Sequence, residues 1–382
     1  MLIKIDLESD LFHNIKKLVD EGKYDDILQF VKIAVTNQIQ EELSGPNIQS
    51  ETLVSQPSVL TQVPLSNQME EEKTPANWRE LLTKLPLKNS EIKPDYKTET
   101  MIWSFYNRFL PVKIIVYHLG KMMASHSATW IELTDLQDEA SDFALKISTA
   151  LSEYEEEHGL TRNKKLSTGL PTSYLKPRRG KRITKRQIDE KLLASKTRFL
   201  EQFIGRPKRE GKEKIQTFSG ACFTFGLLAV KFVKEQCLVS LTDLGREFAL
   251  LENPILDQEK YEHEKFSKSF SDYEISLIWN KIISKFKTEK ETSLKVIELL
   301  QSKPRKSEAF EHIFNEESFS IYQFYSNDPD KLTRDRKDDI LTQAKVAIMG
   351  RLSELKIVNW ELEHGKSIYS LNKEKLPLLN LN

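Results

Sequence analysis

The pattern of apolar and polar positions divides the chain into folded stretches and one unpatterned segment. Residues 2–7, LIKIDL, alternate with the period of a half-buried strand. Apolar residues then recur at helical spacing over 11–19 and over 27–39, with Gly22 between the two stripes. A strand and two helices in residues 1–43 bury too little apolar surface to fold alone. The pattern therefore predicts that two copies pair through this segment to form a homodimer.

The short strand, the turn EGKY at 21–24 and the apolar stripe of the second helix resemble the ribbon-helix-helix family of the MetJ, Arc and CopG type. Members of that family place the paired strands in the major groove of DNA. The resemblance implies that Lys4, on the outer face of the strand, contacts bases, whereas Leu2 and Asp6 beside it do not suit base contacts. Dimerisation without base recognition, and an ordinary helical hairpin within a larger domain, are the alternatives.

The segment 44–97 is rich in Ser, Thr, Gln, Asn, Pro and Glu and lacks a sustained period, which predicts a flexible linker. Within it, residues 75–82, PANWRELL, could form a short helix. Its Trp78 could dock a protein partner or could pack back on the body of the chain, and we favour the second interpretation.

Three later stretches each run from an apolar helix through a helical segment to a short extended pair, which is the order of a winged helix. We predict such domains over residues 98–175, 195–265 and 266–382. In the third, two alternating segments meet at the turn HGK, 364–366, as in a β-hairpin. In the second, residues 241–249, LTDLGREFA, are similar to the segment after the wing in prokaryotic winged-helix transcription regulators. The resemblance implies contacts with double-stranded DNA.

The winged-helix interpretation assigns DNA contacts to polar side chains of two stretches. In the first, a wing at TRNKKLSTGLP would follow a recognition helix that ends at Gly159. In the third, the long helix would present a polar face, and DNA contact and a purely architectural role are equal alternatives. The expected contacts are Arg162, Lys164, Lys165, Gln343, Lys345 and Arg351.

The net charge of the chain is zero, but the charges are distributed unevenly along it. Residues 1–158 carry 15 basic and 26 acidic groups, whereas residues 159–214 carry 18 basic and 5 acidic groups. Such a basic segment neutralises phosphates and gives salt-dependent binding to nucleic acid. Within it, residues 176–194 are predicted to form a basic arm, which either inserts an arginine into a narrow minor groove or attracts phosphates without sequence preference. The expected contacts are Arg178, Arg179, Lys181, Arg182, Lys185 and Arg186.

Motifs for catalysis, metals and cofactors are not found in the sequence. Its two cysteines, Cys222 and Cys237, and its seven scattered histidines lack the spacing of a zinc site. There is no phosphate-binding glycine loop, dinucleotide-binding fingerprint or nucleophile elbow. We therefore predict a non-enzymatic protein without a metal or a cofactor. Few cysteines, no signal peptide and no membrane-length apolar run predict a soluble cytoplasmic protein.

Together these patterns predict a mainly α (α+β) chain with an N-terminal ribbon-helix-helix module, a disordered linker and tandem winged-helix domains. The function that we expect is that of a dimeric DNA-binding transcription regulator. The alternative is a non-catalytic scaffold subunit that binds nucleic acid in a mobile-element or defence assembly. A regulator should prefer its site over random DNA by ~4 to 10 kcal/mol, whereas a scaffold should show little preference.

Overall fold

The structure is a computed structural model, and it describes most residues from Asn77 to Asn380. Residues 1–76 lie outside the described part, so the homodimer through residues 1–43 stays a prediction. The described ranges are 77–87, 89–94, 102, 104–174, 184–210, 215–234, 236–258, 266–301, 305–306 and 334–380, with the backbone alone at 209–210, 215–216, 305–306 and 334–342.

In these ranges the fold is mainly helical with small antiparallel sheets, which confirms the predicted α-rich (α+β) class. None of the described helices is both long and apolar enough to cross a membrane. The helices are α1 Trp78–Lys84, α2 Leu110–Ser125, α3 Leu133–Glu157, α4 Lys185–Phe199, α5 Ala221–Thr224, α6 Asp243–Leu250, α7 Asp272–Leu277, α8 Lys287–Gln301 and α9 Arg334–Glu354. The strands are β1 Ile131–Glu132, β2 Pro207–Glu210, β3 Ile215–Phe218, β4 Leu228–Val233, β5 Gln236–Leu241, β6 Arg305–Lys306, β7 Val358–Glu363 and β8 Lys366–Leu371. Short π and 3₁₀ segments lie at Arg162–Lys164, Leu200–Ile204, Ile278–Ile282, Ile283–Lys285 and Lys373–Leu379.

Helix α2 lies at the centre of the fold because apolar residues occupy all of its faces. Every residue from Leu110 to Tyr117 is buried. Helix α1 packs against it, with Leu82 fully buried and the Trp78 ring edge-on to the Tyr117 ring at 5.1 Å. The preferred interpretation of Trp78, that it packs on the body, is confirmed, and α1 belongs to the core rather than to the predicted linker.

The first three-stranded sheet joins two stretches that the sequence pattern placed in separate domains. Strand β5 pairs with both β4 and β1, in antiparallel order β1-β5-β4. Ile131 of β1 lies opposite Val239 of β5, so residues from 98–175 and from 195–265 share one sheet and one hydrophobic core. The predicted boundary between those two domains therefore does not separate two folding units.

The second three-stranded sheet has the same order, with β6 and β7 on either side of β8. The β7–β8 hairpin confirms the hairpin predicted around residues 364–366, and its two central residues there, His364 and Gly365, both have positive φ. Such a backbone is typical of the tight turns whose twist matches that of the strands. Across the pair, Trp360 lies opposite Tyr369 with the ring centroids 5.6 Å apart.

A further hairpin, β2–β3, follows α4 and was not predicted from the sequence. Helix α4 continues as the π segment Leu200–Ile204 and ends at Gly205, whose φ is +103°. Ser219 at the end of β3 donates its backbone N–H to the Arg206 carbonyl, which closes the base of the hairpin. Gly205 is required here, because a Cβ at this position would lie 1.6 Å from the Ser219 carbonyl oxygen.

Replacing Gly205 with Ala is expected to lower the free energy of unfolding by about 2–3 kcal/mol, since it adds a clash to an unfavourable φ. Gly159→Ala is the matched control. Gly159 also has positive φ, +57°, but a Cβ there would meet nothing within 4 Å, so the expected cost is about 1 kcal/mol. Urea unfolding of both variants checks the prediction, and equal losses would contradict the geometry described for the hairpin base.

A buried ion pair connects α2 with α7. The Lys113 ammonium lies 2.9 Å from Glu274, and both side chains are fully buried. Lys113 also donates to the carbonyl oxygens of Phe248 and Leu251, at 2.6 and 2.8 Å. Burial lowers the pKa of Lys113 and raises that of Glu274, while the attraction between the two groups opposes both shifts. The pair therefore fixes α2 relative to α7 by contacts that apolar residues could not supply.

Candidate nucleic-acid interface

The N-terminus of α4 combines several positive groups. Thr184 begins the helix through a capping box, in which its hydroxyl accepts from the Gln187 N–H and the Gln187 side chain accepts from the Thr184 N–H. The first turn contains Lys185 and Arg186 and no acidic residue. Free N–H groups and the helix dipole already make a helix N-terminus positive, so cations there are unfavourable unless an anion binds.

The neutralisation of the α4 cations by acidic side chains is incomplete. Arg186 pairs with Glu190 at 2.7 Å and Lys196 pairs with Asp142 at 2.7 Å. Both Arg186 and Glu190 are exposed, so that pair stabilises the helix little and opens readily to another anion. Lys185 forms no ion pair with any residue that the structure describes.

The basic charge continues into the β2–β3 hairpin, which sequence reasoning missed. Lys208 on β2 is exposed, and Arg206 just before the strand is paired with Glu201 at 2.8 Å. The signal that could have revealed the hairpin is Gly211, which lies midway between two extended runs in RPKREGKEKIQTF. The hairpin adds an exposed cationic element directly after α4.

Residues 185–194, predicted as the end of the basic arm, form the first turns of α4 instead. The capping box of Thr184 starts this helix after Pro177 and Gly180, the residues expected to keep the start of the arm out of a helix. The other arm residues and the strand residue lie outside the described part and stay predictions. They are Lys4, Arg178, Arg179, Lys181 and Arg182.

The predicted wing of the first stretch is not a hairpin. Helix α3 ends at Glu157, and Gly159 has positive φ as expected of a helix end, but Arg162–Lys164 then forms a 3₁₀ turn. Arg162 and Lys164 are exposed, whereas Lys165 is half-buried and lies 3.4 Å from the buried carboxylate of Glu155. The prediction of a wing is therefore wrong, and DNA contact by Arg162, Lys164 and Lys165 stays a prediction.

Two of the three predicted contacts on α9 are buried. Gln343 is exposed, but Lys345 is 4% and Arg351 1% exposed. Arg351 is held by the buried carboxylate of Glu289, with Nε donating at 2.8 Å, and it donates through Nη1 to the Tyr106 carbonyl at 2.8 Å. The prediction that Lys345 and Arg351 face DNA is therefore wrong, because this side of α9 packs on the core.

The described residues bring no other chemistry together at this surface. No group of three or more His, Cys, Asp or Glu side chains in the described ranges could hold a metal ion. Comparison of the chain with protein-family models, with curated proteins and with solved structures finds no match. The charges and the topology of the chain itself are therefore the basis for its function.

Proposed function

We propose that this chain is a DNA-binding protein that acts as a dimeric transcription regulator, with a basic arm and winged helices as its contact surfaces. The observation that carries the proposal is the N-terminus of α4, where Lys185 and Arg186 occupy the first turn without an acidic residue. The segment that leads into this turn, 176–186, contains seven cationic side chains and no acid. A polyanion such as duplex DNA is the partner that such a concentration of positive groups favours.

The order of the elements also supports the proposal. A winged helix runs from a helix through a short strand and further helices to a hairpin, and its short strand pairs with the second strand of that hairpin. The series α2, β1, α3 and β4–β5 has this order, and its sheet order is β1-β5-β4, if α4, the β2–β3 hairpin and α5 between α3 and β4 are treated as an insertion. The series α8, β6, α9 and β7–β8 has the matching sheet order β6-β8-β7, with α9 as the described helix between β6 and the hairpin. Two such units, rather than the three expected from the sequence, would form the body of the regulator.

The mechanism that follows is occupancy of a DNA site. The arm and the start of α4 would neutralise phosphates and set the position of the protein on the duplex. Lys208 on the β2–β3 hairpin extends the cationic surface. If two copies pair through residues 1–43, two bodies would contact two half-sites related by the symmetry of the dimer. Such a dimer acts by covering its site and needs no catalytic group.

A scaffold subunit that binds nucleic acid without sequence preference is the second candidate. The observation that favours it is on α4 itself, where Leu193 is 68% and Ile188 36% exposed. Apolar side chains next to a basic arm suit a protein partner that also contacts the nucleic acid. The two candidates differ in base discrimination, not in affinity for phosphates.

A salt titration of duplex binding tests the proposal. Fluorescence anisotropy of a labelled random-sequence duplex with the full-length chain is expected to show log Kobs falling linearly with log salt. About six phosphate contacts would give a slope of about −5. A slope near zero, or no binding at low salt, would contradict a phosphate-contacting surface.

A further inference from the structure

A cavity of about 280 Å³ lies between the loop that follows α3 and the junction of α9 with β7. Its volume is close to the lower end of the ~300–1,000 Å³ typical of small-molecule sites. Residues from both winged-helix-like series, the one from α2 to β5 and the one from α8 to β8, form its wall. The wall combines cationic, hydroxyl and aromatic side chains. The lining residues include Arg108, Tyr154, Lys164, Lys165, Glu354, Lys356, Trp360 and Glu361.

Two of the four cations that line the cavity have an acidic neighbour in the structure. Lys165 pairs with Glu155, and Arg108 lies in the field of Glu354, whose own oxygens accept the backbone N–H groups of Phe109 and Leu110 at 2.6 and 3.1 Å. The remaining carboxylate of the wall, Glu361, is an exposed residue of strand β7.

The other two cations, Lys164 and Lys356, have no such neighbour. Neither forms an ion pair with a residue in the described ranges. They are close enough to repel each other, and burial together with this repulsion lowers the pKa of Lys356. The wall has four cations and two carboxylates, and two amines that lack a paired carboxylate are stabilised by an anion between them.

The backbone at Lys356 has a conformation that is unusual for lysine. Helix α9 ends with Lys356 N–H donating to the Ser353 carbonyl and Ile357 N–H donating to the Leu352 carbonyl. Lys356 has φ +56°, the left-handed conformation that glycine usually supplies at this position of a helix end. Ser127, Lys234, His364 and Asn380 share this conformation, so it does not by itself mark a site.

The rest of the wall suits an aromatic phosphate ester. Tyr154 and Trp360 are half-buried and add aromatic surface on which a planar ring can stack.

We infer that this cavity binds a small phosphate ester that carries a planar ring and has the size of a mononucleotide, with Lys164 and Lys356 contacting its phosphate. The inference does not depend on DNA binding, although such a ligand would contact both topological units of the body and could act as an effector.

Calorimetric titration of the full-length chain with each of the four nucleoside 5′-monophosphates tests the inference, with the four nucleosides as ligands without phosphate. At least one monophosphate is expected to bind, and its nucleoside to bind at least about 10-fold more weakly, as expected for loss of charged hydrogen bonds. Lys356→Gly should weaken binding of that monophosphate about 10-fold or more, because it removes the amine. Glycine accepts this backbone conformation, so the variant retains the end of α9.

Lys234→Gly is the matched control, because Lys234 is also left-handed, with φ +57°, and does not line the cavity. It should leave binding of the monophosphate unchanged. Absence of binding by all four monophosphates at millimolar concentration would overturn the inference, as would equal effects of the two glycine variants.

A short duplex distinguishes the source of the phosphate. If the duplex displaced the monophosphate and Lys356→Gly weakened duplex binding equally, the cavity would hold a DNA phosphate and the small-ligand assignment would be wrong.

Discussion

A variant in which Arg178, Arg179, Lys181 and Arg182 are all Ala is expected to bind duplex DNA about 1,000-fold more weakly than the parent chain at 0.1 M salt. Each of these cations that contacts a phosphate releases counterions, and four such contacts contribute about 3.6 to the magnitude of the slope of log Kobs against log salt. The magnitude of this slope should therefore be smaller by about 3.6 in the variant. Anisotropy titrations at several salt concentrations measure both quantities.

The control for this variant removes the same charge from other parts of the body. Lys84, Lys146, Lys287 and Lys373 are exposed and lie on α1, on α3, at the start of α8 and in the last 3₁₀ segment. Their replacement by Ala changes the net charge by the same amount but should alter the slope by less than about 1. If the two quadruple variants lost equal affinity, the binding would follow net charge, and the arm would have no special part in it.

Lys113→Ala is expected to lower the free energy of unfolding by about 3–5 kcal/mol, the typical cost of leaving one member of a buried ion pair without its partner. Glu274 is fully buried, and it would remain without a cation. The exposed pair Lys84–Glu80 provides the control, since Lys84→Ala should cost less than about 0.5 kcal/mol. Urea unfolding followed by tryptophan fluorescence measures both losses.

The loss of unfolding free energy in the Lys113→Ala variant should depend on pH. Burial raises the pKa of Glu274, and Lys113 opposes this shift, so removing Lys113 raises the pKa of Glu274 further. A carboxyl whose pKa is raised in the folded state stabilises the fold as pH falls, because it binds a proton more readily when folded than when unfolded. The loss is therefore expected to be smaller at acidic pH than at neutral pH. A loss that does not change with pH would contradict a buried, charged Glu274 in the variant.

Local features of the fold could be predicted from the sequence. The β7–β8 hairpin followed from two alternating segments around the turn at His364, and Thr242 caps α6, with its hydroxyl accepting from Gly245 N–H at 3.0 Å. The sequence also favoured packing of Trp78 on the body of the chain over docking of a protein partner. These features depend on residues close together in the chain, where periodicity and capping residues carry the information.

Long-range contacts could not be predicted in the same way. The pairing of Ile131 with Val239 joins positions far apart in the chain, and nothing in either segment specifies the other. Arg351 was expected on a polar surface because a charged residue is usually exposed. Its partner Glu289 lies on another helix, so the burial of the pair depends on tertiary structure alone.

The candidate site was predicted in part. The charge distribution indicated the basic arm, and Lys185 and Arg186 are exposed at the start of α4, although on a helix rather than on an irregular segment. Lys356 was not predicted, because its importance depends on Lys164, which reaches the same cavity from the loop after α3. Spatial convergence of residues from distant segments is not visible in one sequence.

Binding of the full-length chain to a library of random-sequence duplexes at two salt concentrations, with enriched sequences identified, tests the central claim most directly. A dimeric regulator should enrich a palindromic or directly repeated motif, and the enrichment should persist at the higher salt concentration. Salt-sensitive binding without enrichment would favour the scaffold over the regulator. Absence of binding to any duplex at the lower salt concentration would contradict the claim that this chain binds DNA.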